Sequence, residues 1–361
     1  MLAAGGTGGH LFPAFALAQE LGRRQIIVDL VTDLRGDRYG TGFPGRRIHQ
    51  VPSATLAGRS PGNIARTAMT LSKGVAAAYA LLGEVRPQAV IGFGGYPTFP
   101  PLLAARMRAI PTALHEQNAV LGRANKMLAR SVSAIATSFE STKYLEGQAA
   151  MKAHFTGNPV RDVVIECAAK SYAAPRAGEP FQLVVFGGSQ GARYFSDTVP
   201  VALAMLPDNV RASMSVVQQC REEDLARVRA AYGQAGIDAD LAAFFPDLPQ
   251  LMASAHLIIG RAGASTVSEL TVLGRPSILV PLPHSLDNDQ LQNATRLAES
   301  GGAWCIEQKN LPPKQLSEYI LGLYHAPDHL AAAAAAAKLQ GRPDAVARLA
   351  DLVEELMENG G

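Results

Sequence analysis

Cysteine is scarce in this chain. The 361 residues hold three, Cys167, Cys220 and Cys305, at no paired spacing. That usage excludes a disulfide framework and a thiolate metal site, and reads as isolated buried thiols in a reducing compartment. Net charge is nearly absent too. Lys and Arg number 33 against 31 Asp and Glu, leaving a formal charge of +2. Such a balance gives no electrostatic footprint for nucleic acid. Long apolar runs are also missing. No stretch reaches the roughly twenty residues needed to span a bilayer, and glycines interrupt the start from Gly5 onward. The expectation is a soluble chain, or one held only at a membrane surface.

What is present is an ordinary globular balance, 48% hydrophobic and 18% charged. The length suits two or three domains, and each half is long enough to bury its own core. Short β-rich runs alternate with helical stretches. Strands are expected at 26–32, 89–93, 112–115 and 134–137, then at 182–186, 212–218, 257–259 and 277–280. This alternation predicts an α/β fold of two doubly wound, Rossmann-like domains with parallel sheets. Pro175, Gly178 and Pro180 punctuate a linker over 158–180. The Ala-, Leu- and Glu-rich tail over 331–357 is expected to be helical.

Chemistry gathers where strands should end. Residues 5–10 read Gly-Gly-Thr-Gly-Gly-His, a glycine turn into a helix. Glycine lets backbone approach a ligand, and the first helical N–H groups have no intrahelical partner. A tight turn with a solvated His10 is the plainer alternative. Only Met1 to Ala4 precede this turn, so either the first strand is stunted or the start lies upstream. A second glycine turn, Gly187 to Ala192, follows Leu183-Val-Val-Phe186 and has Ser189 at its centre. It is not a Walker loop, because no Gly-Lys-Ser/Thr follows, and it is not a clean dinucleotide fingerprint.

The stretch Arg261 to Glu269 follows a strand and opens a helix. Ser265 or Thr266 can cap that helix, and Thr266 with Glu269 fits a capping box. Alternatively the helix start faces a pyrophosphate and Glu269 accepts bonds from two ribose hydroxyls. Gln290 and Asn293 follow a polar loop in which Asp287 or Asn288 can cap the next helix. Both amides have the chemistry to bond sugar hydroxyls. In the first half, Gly92 to Tyr96 is another glycine turn, and His115-Glu-Gln-Asn118 directly follows a strand. His115 and Glu116 lack further partners at metal-ligand spacing, so no metal is expected. Arg161 closes the run Gly157-Asn-Pro-Val-Arg161 at the linker.

Seven motifs in order, GGTGGH (5–10), GFGGY (92–96), HEQN (115–118), GNPVR (157–161), GGSQGA (187–192), RAGASTVSE (261–269) and DQLQNA (289–294), resemble the MurG family of bacterial glycosyltransferases. The resemblance implies the GT-B fold, with two Rossmann-like domains facing across a cleft. It assigns residues 1–160 to the acceptor and membrane side and 161–335 to the donor, with a helix over 336–361 crossing back. It implies transfer of N-acetylglucosamine from UDP-N-acetylglucosamine to the muramyl sugar of lipid I, with inversion and no cofactor. Expected donor contacts are Thr7, Gly8, Gly9, Asn118, Arg161, Ser189, Phe245, Ala264, Ser265, Thr266, Val267, Ser268, Glu269 and Gln290. His10 is the expected base, with Glu116 as its rival.

A polyprenyl acceptor implies work at the cytoplasmic face of the membrane. Ile64, Ala68, Leu71 and Val75 lie at helical spacing, with Arg59, Arg66 and Lys73 nearby. They fit an apolar patch on an anionic leaflet or an amphipathic helix packed on its sheet. Competing readings are a UDP-N-acetylglucosamine 2-epimerase of the same fold and a non-catalytic sugar-nucleotide-binding protein. A dehydrogenase is disfavoured, since Leu11 stands where the dinucleotide fingerprint needs glycine.

Overall fold

The computed structural model describes residues 1–5, 8–33, 42–54 and 60–359, with the side chains of residues 8, 61 and 189–192 outside the description. The described strands form two sheets, and every pairing is parallel. The first holds β1 (Leu2–Ala3), β2 (Asp29–Thr32), β3 (Arg47–Gln50), β4 (Val90–Gly92), β5 (Thr112–Glu116), β6 (Ala134–Thr137) and β7 (Ala153–Phe155). Their order is β3-β2-β1-β4-β5-β6-β7. The second holds β8 (Phe181–Phe186), β9 (Met214–Gln219), β10 (Asp238–Ala242), β11 (Leu257–Gly260), β12 (Ser277–Leu279) and β13 (Ala303–Cys305). Their order is β10-β9-β8-β11-β12-β13. Each sheet starts in its middle, grows one way, then reverses, which is the doubly wound pattern.

Two compact units result. One comprises residues 1–161 with 342–361, and the other residues 162–341. In the first unit, strand alternation divides the apolar residues between two faces. Leu2, Leu30 and Ile91 pack with Leu17, Leu21, Leu349 and Val353. Val31, Val90 and Leu114 pack with Ala78, Leu82, Leu102 and Leu128. The second unit buries Phe181, Val185, Phe195, Val199 and Ile320 in one cluster.

The tail is two helices, Pro327–Gln340 and Ala345–Glu358. Helix propensity over 331–357 hides a break at Gly341-Arg-Pro343, where proline supplies no N–H and the residue before it avoids helical ψ. The division between units falls at that break. The last helix is held beside helix Gly8–Arg23 by Arg24, which bonds Asp351 Oδ1 at 2.7 Å and Glu354 Oε2 at 2.6 Å. The strand expected from residue 26 begins only at Asp29. Strands β3, β7 and β10 went unforeseen because they are largely exposed and carry no clear apolar alternation. Strand β13 is short and only its first residue is buried, and it too went unforeseen.

Helix Pro61–Val85 buries Thr67, Gly74, Ala78 and Leu82. A Cβ on Gly74 would overlap the Pro52 carbonyl, so this glycine permits the helix to lie close. The stripe Ile64, Ala68, Leu71 and Val75 therefore lies largely off the packed face: Ile64 and Ala68 are exposed, and Leu71 and Val75 are half-buried, with Val75 at the margin of the core. Among the described residues, no helix is long and apolar enough to cross a membrane.

In the second unit, Arg275 is almost fully buried and meets carbonyls instead of a carboxylate. It donates to Ala253 O at 2.6 Å, Lys170 O at 2.8 Å, Leu273 O at 2.9 Å and Gly274 O at 3.1 Å. Three of these acceptors lie at the carboxyl ends of helices Leu248–Ser254 and Ala264–Leu273, where the dipole is negative. Replacing Arg275 with leucine strands those carbonyls and should cost about 3 kcal/mol. Urea unfolding of Arg275→Leu should show a lower midpoint at unchanged m. An unshifted midpoint would remove the guanidinium from this role.

Candidate active site

Both sheets reverse order between two neighbouring strands: β1 and β4 in the first unit, β8 and β11 in the second. Ligands of such sheets sit at the carboxyl ends of those strands. The glycine turns 93–95, 187–188 and 260–263 leave β4, β8 and β11, and Gly5 follows the end of β1.

In the first unit the structure brings three motifs together. His10 lies in the first turn of helix Gly8–Arg23. Its ring rests against Gly94 and Gly95, whose φ angles are 88° and 74°. A Cβ on Gly94 would come within 3.3 Å of Cδ2 and Nε2, and one on Gly95 within 3.4 Å of Cε1. The glycine pair thus supplies both the backbone conformation and the space for the imidazole. Burial pushes the His10 pKa down to about 4, so the ring is neutral at neutral pH. A Cβ on Gly9 would meet nothing within 4 Å, so its side remains open to a ligand. Gly8 begins the helix. Thr7 lies outside the described residues.

The HEQN stretch divides its labour. His115 is fully buried, with Nε2 3.1 Å from Gly157 O and Nδ1 3.0 Å from Gln117 Nε2. Because Gln117 donates to Nδ1, the proton sits on Nε2 and is given to Gly157. Burial holds this histidine at a pKa of about 4. Gln117 Nε2 also donates to Phe93 O at 3.0 Å, tying this loop to the GFGGY turn.

Glu116, the rival base, has no open side. Its Oε1 accepts from Asn118 N at 3.0 Å and Asn118 Nδ2 at 3.3 Å. Its Oε2 accepts from Gly122 N and Asn125 Nδ2, both at 2.8 Å. Burial raises its pKa against these donors. The carboxylate anchors the loop over 117–125. Asn118 is half-buried, and so is Arg161, which lies 5.4 Å over the exposed Phe12 ring.

In the second unit, helix Ala264–Leu273 starts from Gly263 with no side-chain cap. The capping box expected from Thr266 and Glu269 does not form. The helix begins one residue before Ser265, which places Ser265 and Thr266 inside the first turn. Val267 N is the first to find a helical acceptor, Gly263 O. The N–H groups of Ala264, Ser265 and Thr266 precede it and have no intrahelical partner. Ser265 Oγ is buried with no hydrogen-bond partner among the described residues. Ser268 Oγ instead bonds back to Ala264 O at 2.9 Å, and Ala264, Val267 and Glu269 are buried.

Helix Asp289–Glu299 braces this turn. Gln290 Oε1 accepts from Ala262 N at 3.2 Å and Leu282 N at 3.0 Å, which leaves its amide nitrogen as the donor end. Asn293 is fully buried and donates to Ala262 O at 3.1 Å, so it does not offer its amide to a sugar. Asn288 occupies the N-cap position of this helix without a side-chain cap bond. Phe245 is half-buried in the loop after β10, and its carbonyl accepts from Leu248 N. The Ser189 side chain lies outside the described residues.

Two supporting residues escaped the sequence reading. Arg261 is buried and donates to Val280 O, Pro281 O and Gln308 Oε1. Gln219 ends β9 and bonds Gly188 N and Ala243 O. Gln219 has no local sequence signal, and although Arg261 opens the motif over 261–269, the partners of both come from distant segments.

Fold and site together define a sugar-nucleotide-type glycosyltransferase architecture, two Rossmann-like domains of the GT-B kind. Residues 1–137 match the glycosyltransferase family 28 N-terminal domain, and residues 182–349 its C-terminal domain. A Rhizobium etli (strain CIAT 652) protein is 50% identical over 99% of this chain and 95% of its own length. One from Methylobacterium sp. (strain 4-46) is 53% identical over 98% of this chain and 96% of its own. Both are named UDP-N-acetylglucosamine–N-acetylmuramyl-(pentapeptide) pyrophosphoryl-undecaprenol N-acetylglucosamine transferase. The crystal structure of Acinetobacter baumannii MurG superposes with a TM-score of 0.80 at 28% identity, covering 98% of each chain. The chain belongs to the MurG family.

Two desolvated neutral histidines, His115 fully buried and His10 half-buried, make stability depend on pH. Their native pKa values lie below the unfolded 6.5, so the unfolded chain takes up protons first as pH falls. Stability is therefore full above about pH 6.5 and is lost toward pH 4, by up to about 1.4 kcal/mol per pH unit for each histidine. Glu116 acts in the opposite sense, because its native pKa is raised. Comparing the native chain with His115→Asn isolates one histidine. The variant's stability should fall less steeply between pH 6.5 and 4.5, and equal slopes would contradict the assignment.

Proposed function

We infer that this chain transfers N-acetylglucosamine from UDP-N-acetylglucosamine to the muramyl sugar of lipid I, giving lipid II. The observation that carries this reading is near-full-length identity of about half to relatives whose printed name states that donor and acceptor.

In this reading the second unit holds the donor. The free N–H groups at the start of helix Ala264–Leu273, with the half-buried Ser265 and Thr266, take the diphosphate. Ala264, Val267 and Ser268 contribute through the same turn. Glu269 takes the ribose diol, the Gln290 amide nitrogen the sugar hydroxyls, and the Phe245 backbone the uracil. Ser189 and, from the first unit, Thr7, Gly8, Gly9, Asn118 and Arg161 complete the donor contacts. Residues 1–160 form the acceptor side.

The reaction is a single displacement with inversion. The acceptor hydroxyl oxygen forms a bond to the anomeric carbon and loses its proton, while the bond to the diphosphate breaks and UDP leaves. His10 takes the proton, and the helix N-terminus with Arg161 stabilises the departing charge. Glu116 positions Asn118 and stays out of proton transfer. An epimerase needs no second substrate, so an acceptor-dependent product separates the readings.

A labelled donor with a short-chain lipid I analogue should give disaccharide product. UDP-N-acetylmannosamine, or binding without turnover, would sink the reading. His10→Ala should lower kcat at least a hundredfold while UDP affinity stays within about threefold. Rate should stay level from pH 8 to pH 5, because His10 titrates near 4. An inflection near 6.5 would point to another base.

The exposed stripe on helix Pro61–Val85 supports a place at the cytoplasmic membrane surface. Met69 and Met107 are 60% and 61% exposed. Between helices Pro61–Val85 and Phe99–Met107 runs a groove lined by Leu71, Val75, Tyr79, Phe99, Leu103 and Met107. Arg66 and Lys73 are exposed on the first of these helices, and Arg108 stacks 3.9 Å over Tyr79. Arg59 lies outside the described residues. Such a face suits insertion among anionic headgroups. Met69→Ser with Met107→Ser should reduce sedimentation with phosphatidylglycerol vesicles several-fold, with turnover of a soluble acceptor retained. Unchanged sedimentation would move the membrane contact elsewhere.

A further inference from the structure

Strand β9 lies between β8 and β10, so its last side chain stands between the loops that leave those two strands. That side chain is Gln219. Its Oε1 accepts from Gly188 N at 3.1 Å, and its Nε2 donates to Ala243 O at 3.1 Å. Gly188 opens helix Gly188–Ala204 with φ 62°, and its N–H is one of the donors that a helix start leaves without an internal acceptor. Ala243 immediately precedes Phe244 and Phe245. One neutral amide thus fastens the glycine turn to the loop after β10.

The chemistry of the pair is selective. The contact needs an acceptor facing an N–H and a donor facing a carbonyl, a few ångströms apart. A carboxylate satisfies Gly188 and repels Ala243, while an alkyl side chain satisfies neither. The preceding residue shows the contrast. Gln218 points to the other face of the sheet, where the buried Tyr232 hydroxyl donates to its Oε1.

We propose that Gln219 is a positioning residue for donor binding. It sets the distance between the Gly187–Gly188 turn, which leads into the donor-contacting Ser189, and the loop that meets the base. The proposal rests on the donor site assigned above. Gln219 does not touch the donor in this scheme. Its effect falls on ligands that span both loops, and spares ligands that reach only one.

The test compares UDP with uridine by calorimetry on the full chain, alongside donor kinetics. For Gln219→Leu, UDP affinity should fall about tenfold, equivalent to about 1.4 kcal/mol. The donor KM should rise by a similar factor with kcat within twofold, and uridine affinity should change less than threefold. Gln219→Glu, which keeps the bond to Gly188, should show the same split. Melting temperatures of both variants should lie near the native value. Three results overturn the proposal: UDP affinity unchanged in Gln219→Leu; uridine and UDP weakened equally; or a loss of affinity that tracks a loss of stability. If the native chain fails to bind UDP, the donor reading itself falls and takes this proposal with it. Native binding with an indifferent Gln219→Leu removes only the proposal.

Discussion

Parallel strands joined by right-handed crossovers impose the constraint on which the rest of this structure depends. A sheet built that way cannot keep both faces covered unless the chain begins in the middle and reverses once. Here the reversals fall at β1/β4 and at β8/β11. Loops leaving the two strands of a reversal run to opposite faces, so the space at their carboxyl ends stays open. Among the described residues, glycine follows or ends each of these four strands. Elsewhere in the sheets the strand exits are less rich in glycine, as expected if backbone approach matters only where a ligand fits.

Most polar side chains around these openings hold loops in place. Glu116 closes the HEQN loop with both oxygens, Gln117 ties it to Phe93, and His115 fixes Gly157. Gln290 and Asn293 pin Ala262 from the helix that follows. A buried polar group without a partner is costly, so each satisfied bond also specifies one loop conformation. What remains for a ligand is backbone N–H, a few half-buried hydroxyls and the open face of Gly9. Loops pinned in this way need little reorganisation to orient a ligand.

The buried strands were legible because they are short apolar runs bounded by glycine or polar residues; β4, β5, β6, β8 and β11 lie within a residue or two of their expected places. The polar edge strands were not legible. Their pairing is dictated by neighbours distant in sequence, and their own residues carry no alternation. The motifs located the candidate site, but residue types could not say which atoms are already engaged. Asn293 and Gln290 are both amides in one motif, yet only one keeps a free end. Glu116 and His10 are both titratable, yet only His10 lies beside an open glycine. Helix Pro61–Val85 makes the same point through packing. Its apolar stripe was readable, but the buried face is the one containing Gly74, because close approach to Pro52 selects that side.

Burial of His10 sets two demands against each other. Desolvation keeps the ring neutral, which is the form that accepts a proton, and the same desolvation makes it a weak base with a pKa of about 4. A base that weak gains little by removing a proton from an alcohol before bonds change. It becomes effective once the hydroxyl oxygen bonds to the anomeric carbon, because that oxygen turns positive and its proton strongly acidic. A neutral imidazole on two glycines therefore suits a displacement in which leaving-group departure runs ahead of proton transfer. The burden of catalysis then shifts to whatever stabilises the diphosphate. In the proposed scheme that is the uncapped start of helix Ala264–Leu273, whose N–H groups are oriented before the charge develops.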